Sequence, residues 1–82
     1  MPNKKSPKQQ DGLVATKLLA DRSGEPYDTI DHWASSGLLD YRRKGRTRFF
    51  ALTENLRRCK QIRALQDEGH SLTTIKKMVA QN

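Results

Sequence analysis

The sequence predicts a mainly α-helical fold that contains one small β-hairpin. Two short segments with apolar residues at helical spacing stand on either side of a glycine turn at Gly24. The spacing changes to strand-like alternation around Gly45 and returns to a helical period from Leu52 onward. At 82 residues, the chain is expected to form one domain with a small core.

Two helices are predicted in the first half of the chain. The segment LVATKLLADRSG, residues 13–24, indicates a helix capped by Thr16, with Val14, Leu18 and Leu19 facing inward. The segment PYDTIDHWASSG, residues 26–37, indicates a second helix whose Ile30, Trp33 and Ala34 share one buried face. Two short helices joined by a glycine turn are typical of a helix-turn-helix.

A hairpin and a second helix pair are predicted to follow. Residues 38–52 alternate around Gly45, which indicates two strands joined by a turn, with Phe49 and Phe50 packing within the hairpin. Residues 52–69 predict a long helix capped by Thr53, with Cys59 as a buried thiol. A last helix is predicted after Ser71, its cap, with an inward face made of Leu72, Ile75, Met78 and Val79. This order is that of a winged helix-turn-helix followed by a second helix pair.

The positive charge is concentrated in the middle of the chain. The formal net charge is +7, yet residues 11–40 sum to −4 and residues 41–60 sum to +7. Five of these cations, Arg42 to Arg48, fall within seven positions at the predicted hairpin tip. A clustered basic stripe indicates a polyanionic partner, whereas solubility alone does not require clustering.

The sequence lacks the features that would indicate a membrane protein, a secreted protein, a metalloprotein or an enzyme. No apolar run approaches a membrane span, and the N-terminal lysines precede no apolar signal segment. Residues 1–12 predict a disordered basic arm. The lone Cys59 is typical of a reduced cytosol, and Cys59, His32 and His70 are too few to form a metal site, so no metal or cofactor is expected. No nucleophile motif or phosphate-binding glycine loop predicts an enzyme.

The order of motifs resembles the DNA-binding domain of the MerR family. The run T-hydrophobic-x-x-aromatic-x-x-x-G-L-L is matched by residues 29–39, TIDHWASSGLL. Gly45, Arg48 and Phe50 are similar to the end of the family's wing, and GHSLTTIKK, residues 69–77, is similar to its second helix pair. The resemblance covers about residues 13–80 and departs at Asp31, where relatives commonly carry a basic residue or histidine.

The resemblance implies a regulator of transcription that binds double-stranded DNA in a sequence-specific way. The second helix would lie in the major groove, and the hairpin wing would contact the flanking backbone or minor groove. The predicted DNA-binding residues are Tyr27, Asp28, Thr29, His32, Tyr41, Arg42, Arg43, Lys44, Arg46 and Arg48. Asp28 either accepts a hydrogen bond from a cytosine or complements the helix dipole. Tyr41 either packs under the wing or reaches a phosphate.

Further expectations concern the interior of this domain and its assembly. Arg48 is expected to hold the recognition helix in place as well. Asp31 is expected to pair with a nearby basic side chain, and Trp33 is expected to lie in the core. Residues 13–82 form the predicted domain, in a cytoplasmic, nucleoid-associated protein. The family's long dimerisation helix is not among the 82 residues, so a homodimer would need further sequence or another surface for its interface.

Two alternative functions remain open at the level of sequence. An excisionase-like architectural factor would use the same residues to bend DNA for recombination. A protein-interaction module would instead present the acidic second helix to a basic partner and keep the wing as a solvated loop.

Overall fold

A computed structural model describes residues 12–80, which form a mainly helical domain with a small antiparallel sheet. The elements in chain order are β1 (Leu13–Ala15), α1 (Thr16–Ser23), α2 (Tyr27–Ser35), β2 (Arg42–Lys44), β3 (Thr47–Ala51), α3 (Leu52–Asp67) and α4 (Leu72–Ala80). The predicted fold class, a winged helix-turn-helix followed by a second helix pair, is confirmed. The predicted basic arm lies outside the described residues, apart from Gly12.

The sheet has a third strand that the sequence did not predict. Residues 13–15 form β1, which pairs antiparallel with β3 so that Val14 lies opposite Phe50. The strand order is β1-β3-β2. Residues 13–15, which precede the predicted cap at Thr16 in the segment assigned to the first helix, therefore form a strand. An isolated hairpin is marginal in water, and pairing with β1 satisfies backbone groups of β3 that would otherwise form an open edge.

The core lies between the sheet and the four helices of residues 12–80. Leu19, Ile30, Trp33, Phe50 and Ile62 are among its fully buried large side chains. The predicted inward face of α2 is confirmed, as are the burial of Trp33 and of the Cys59 thiol. Half-buried side chains, including Val14, Leu56 and Leu72, pack against this cluster.

Two residues predicted to face inward are exposed instead. Leu18 is 39% exposed and Met78 is 37% exposed. In α1, the short helix buries one narrow stripe made of Thr16, Leu19 and Ala20, and Leu18 lies beside it. Because each residue turns an α-helix by about 100°, a one-residue difference is enough to move a side chain from the core to the surface.

Two of the three predicted helix caps are wrong. Thr16 is the first residue of α1 and is buried, and α3 begins at Leu52, one residue before Thr53. Both helices follow directly from a strand, so the extended last strand residue, Ala15 or Ala51, occupies the N-cap position. The third cap is confirmed, since Ser71 Oγ accepts a hydrogen bond from the Thr74 amide at 3.2 Å.

An ion pair between distant segments fixes the turn that joins α1 and α2. Arg63, on α3, donates two hydrogen bonds to Glu25, from Nη2 at 2.5 Å and from Nε at 3.1 Å. The Arg63 Cζ also lies 5.7 Å from the centroid of the Trp33 ring. The glutamate side chain is mostly buried, so this bidentate contact holds the helix-turn-helix against α3.

Candidate nucleic-acid interface

The hairpin of β2 and β3, residues 42–51, forms a narrow cationic wing. Lys44 lies opposite Thr47 in the register, so the connection is a two-residue turn made of Gly45 and Arg46. Gly45 has a φ of +63°, and within residues 12–80 only glycines have a positive φ. This matches a type II′ turn, which needs glycine at its first central position and follows the twist of the strands. The turn presents Arg46 at the tip of the wing.

The cations of the wing are divided between the two faces of the sheet. Arg43 lies opposite Arg48, on the face that also carries Phe50 and looks toward α2. Arg42 and Lys44 alternate with Arg43 and therefore lie on the other face. There they line a cleft of about 370 Å³ together with Leu13 and Phe49, and Arg43 also lines it. The five cations that are clustered in sequence are therefore divided between two faces, with Arg43 reaching clefts on both.

Arg48 is bound to the second helix. Its Nη1 donates to Asp31 Oδ1 at 2.5 Å, and its Nη2 donates to Ser35 Oγ at 3.0 Å. The side chain is only 17% exposed. These contacts confirm the expectation that Arg48 holds α2. They also confirm the expectation that Asp31 pairs with a nearby basic side chain.

Tyr41 packs under the wing. Its ring lies 5.9 Å from that of Phe50, at an interplanar angle of 49°, and the Arg48 Cζ lies 4.9 Å from its centroid. Hydrogen bonding to Arg43 and then to Arg48 lowers the pKa of the Tyr41 hydroxyl below its ordinary value. Tyr41 thus joins the core aromatic cluster to the two arginines on the inner face of the wing.

The exposed face of α2 is acidic. Asp28, Asp31, His32 and Ser35 are exposed and lie opposite the buried side of the helix. Tyr27, at the first position of α2, is 53% exposed. Asp28 stands in the first turn of α2, where a carboxylate complements the helix dipole. The geometry therefore permits both of the roles that the sequence predicted for Asp28.

A cleft between α2 and the wing brings together residues from distant parts of the chain. It measures about 420 Å³, and its lining side chains include Tyr27, Asp31, Arg43, Arg46 and Arg48. Asp28, Thr29 and His32 instead line a separate cavity of about 350 Å³ beside α3 and α4. The predicted contact residues of α2 thus divide into one that faces the wing, Tyr27, and three that face away from it.

Lys17 is a cleft residue that the sequence analysis missed. It is exposed on the first turn of α1 and lines the cleft with Ala15 and Thr16. Its position depends on β1, because the pairing of β1 with β3 places the start of α1 beside the wing. A single lysine on a predicted helix carries no local signal of such a position, so only recognition of the third strand would have found it.

Residues 12–80 contain no group of three or more histidine, cysteine, aspartate or glutamate side chains that could hold a metal ion. None of their helices is long and apolar enough to cross a membrane. Burial raises the pKa of the Cys59 thiol to about 11, which disfavours the reactive thiolate.

A helix-turn-helix with a cationic hairpin at its side defines the chain as a winged helix-turn-helix protein. The family of MerR HTH regulatory proteins matches residues 15–82. The chain therefore belongs to the MerR family of helix-turn-helix regulatory proteins, which are DNA-binding regulators of transcription. No curated protein and no solved structure matches the chain.

Proposed function

We propose that this chain binds double-stranded DNA in a sequence-specific way and controls transcription, with α2 in the major groove and the wing on the flanking backbone or minor groove. The observation that carries the proposal is the cleft. It places cations from α1 and the wing directly beside Tyr27 and Asp31 of α2. A duplex that receives α2 in its major groove would then meet these cations at its phosphates. A cytoplasmic, nucleoid-associated location belongs to the same proposal.

The division of charge over the wing supports contact with a groove. A two-stranded ribbon with cations on both faces, such as Arg43 on one and Lys44 on the other, presents charge to both walls of a minor groove. Arg46, at the tip, is placed to enter furthest. Arginine in a narrow minor groove reads groove width as well as charge.

The acidic face of α2 assigns a different task to that helix. Carboxylates do not bind phosphate, so α2 contributes to base recognition more than to overall affinity. Asp28 is suited to accept a hydrogen bond from a cytosine amino group, and Tyr27 and His32 are suited to donate to base or phosphate acceptors. Affinity then comes chiefly from the wing and from Lys17.

The test is a triple variant of the wing, Arg43→Gln, Lys44→Gln and Arg46→Gln. Its binding to a fluorescent duplex is compared with that of the unchanged chain at several salt concentrations. Each phosphate contact contributes about 0.9 to the slope of log affinity against log salt. Loss of three contacts should lower that slope by about 2.7 and weaken binding most at low salt.

The matched control removes the same charge from another surface. The control combines Arg57→Gln, Lys60→Gln and Lys77→Gln, which change exposed side chains of α3 and α4. Arg57 and Lys60 line a groove that is separate from the cleft between α2 and the wing. This control should keep most of the slope. Equal losses in both triple variants would mean that total charge, and not the wing, determines binding.

The same titration separates the alternatives. A protein-interaction module would bind the duplex weakly at every salt concentration, which would overturn the proposal. An architectural factor of the excisionase type would bind with the same salt dependence but would occupy tandem sites and bend the duplex. Circular-permutation gel shifts measure that bending.

A further inference from the structure

The guanidinium of Arg48 is occupied inside the protein. Asp31 and Ser35 accept hydrogen bonds from its two Nη atoms, and the ring of Tyr41 lies against it. The remaining nitrogen, Nε, is buried and has no hydrogen-bond partner among the described residues. An arginine on a DNA-binding wing would ordinarily offer its planar fork to a phosphate. Here the fork is already directed at a carboxylate.

Asp31 stands in the path of an approaching phosphate. Its side chain is 53% exposed, on α2, and it lines the cleft together with Lys17, Arg43 and Arg46. A phosphate that enters this cleft meets the negative charge of Asp31 and a neutralised Arg48. The carboxylate therefore occupies the position on Arg48 that a phosphate oxygen would otherwise take.

We propose that Asp31 holds Arg48 away from the phosphate backbone and thereby limits the affinity of this interface for DNA of any sequence. The inference rests on the proposed function and adds a regulation of its binding strength. Asp31 acts through Arg48 and is in that sense a positioning residue. Arg48 is kept as the link between wing and helix and is withheld from the backbone.

The benefit of such a contact follows from how nucleic acids are recognised. Phosphate contacts supply essentially all of the sequence-independent affinity, while base contacts supply discrimination. Removing one cation from the phosphate set weakens binding to all sequences alike. The base contacts of α2, whose exposed face is poor in cations, then make up a larger share of the total binding free energy.

The decisive variant is Asp31→Asn, because asparagine has nearly the same size and lacks the negative charge that pairs with Arg48. The probe is a labelled duplex of random sequence, titrated with the full chain at several salt concentrations. One further phosphate contact should steepen the salt slope by about 0.9. With this slope, the ratio of the variant's affinity to that of the unchanged chain grows about 3.5-fold for each fourfold decrease in salt concentration.

Two further variants distinguish an effect of the Asp31–Arg48 ion pair from a general effect of charge. Glu54→Gln adds the same charge on α3, in the groove that contains Arg57, and should leave the slope as it is. Asp31→Glu keeps the carboxylate and should restore binding close to that of the unchanged chain. Far-UV circular dichroism checks that each variant is folded at the assay temperature.

A double variant tests whether the effect passes through Arg48. In an Arg48→Gln background, Asp31→Asn should no longer increase affinity by the same factor, because the released cation is missing. A gain that persists unchanged in that background would overturn the inference, since Asp31 would then act only as a repelling charge. A loss of affinity in Asp31→Asn would also overturn it and would mean that Asp31 orients Arg48 for phosphate.

The outcome for the unchanged chain distinguishes this inference from the proposed function. If the unchanged chain binds the duplex with a steep salt slope and Asp31→Asn behaves identically, only the role of Asp31 is refuted. If the unchanged chain does not bind the duplex at any salt concentration, the proposed function fails and the role of Asp31 fails with it.

Discussion

Tyr41 offers a sharp test of how the wing is attached to the core, because its ring and its hydroxyl can be removed separately. The ring packs against Phe50 and lies under the Arg48 guanidinium. An aromatic pair at this distance contributes about 1 kcal/mol beyond burial. A cation–π contact at a partly exposed site contributes about 0.5–1 kcal/mol. Tyr41→Leu should therefore lower the free energy of unfolding by roughly 2 kcal/mol.

Tyr41→Phe keeps the ring and loses only the hydroxyl. Its free energy of unfolding should stay close to that of the unchanged chain, because the hydroxyl is exposed and its lost hydrogen bonds are replaced by water. Its affinity for a duplex should also be retained. Urea denaturation followed by far-UV circular dichroism measures the stability, and fluorescence anisotropy measures the binding.

The matched control for Tyr41 is Tyr27, which is exposed on α2. Tyr27→Leu should change the free energy of unfolding by no more than about 0.5 kcal/mol. The reasoning is refuted if Tyr41→Phe costs as much stability as Tyr41→Leu, since the hydroxyl and not the ring would then hold the wing. A large loss of duplex affinity in a fully stable Tyr41→Phe would show that the hydroxyl reaches a phosphate.

Two further predictions concern stability. Gly24 and Gly37 have φ of +80° and +85°, but a Cβ at Gly37 would lie 3.0 Å from Lys76 Cε, whereas one at Gly24 meets nothing within 4 Å. Urea denaturation should show that Gly24→Ala and Gly37→Ala each lower the free energy of unfolding by about 1 kcal/mol, with Gly37→Ala a few tenths worse because of Lys76. In a Lys76→Ala background the two glycine variants should lose the same amount. A larger loss for Gly37→Ala that persists without Lys76 would contradict this. Burial, followed by the negative charge of Glu25, raises the pKa of the Cys59 thiol from 9.0 to about 11. Between these two pH values the folded state therefore keeps a proton that the unfolded chain releases. The stability of the unchanged chain relative to Cys59→Ala should therefore be constant below pH 9 and fall by about 2 kcal/mol by pH 11, and a difference that is independent of pH would be inconsistent with a buried thiol.

The elements with a strong local pattern were predictable from the sequence. The apolar face of α2 repeats at helical spacing, and Ile30, Trp33 and Ala34 are buried as that spacing requires. Ser71 caps α4 through a neighbouring amide, which is a contact within four residues. Such features depend on consecutive residues, so their physical cause is present in the sequence itself.

The elements that depend on a distant partner were not predictable in the same way. Residues 13–15 became a strand because β3 was available to pair with them, although their own pattern also allows a helix. The caps of α1 and α3 moved for the same reason, since each helix starts where a strand ends. Tertiary pairing outweighed the local preference of Thr16 and Thr53 for cap positions.

The candidate site shows the same division. The run of cations around Gly45 and the turn that presents it were evident in the sequence, and they determined that the chain carries a basic hairpin beside a helix-turn-helix. Only the tertiary structure decided that these cations occupy two faces, that Lys17 joins them, and that Arg48 is bound to Asp31. The physical reason is that charge and periodicity are properties of neighbouring residues, whereas a cleft and an ion pair depend on how α1, α2 and β3 pack against each other.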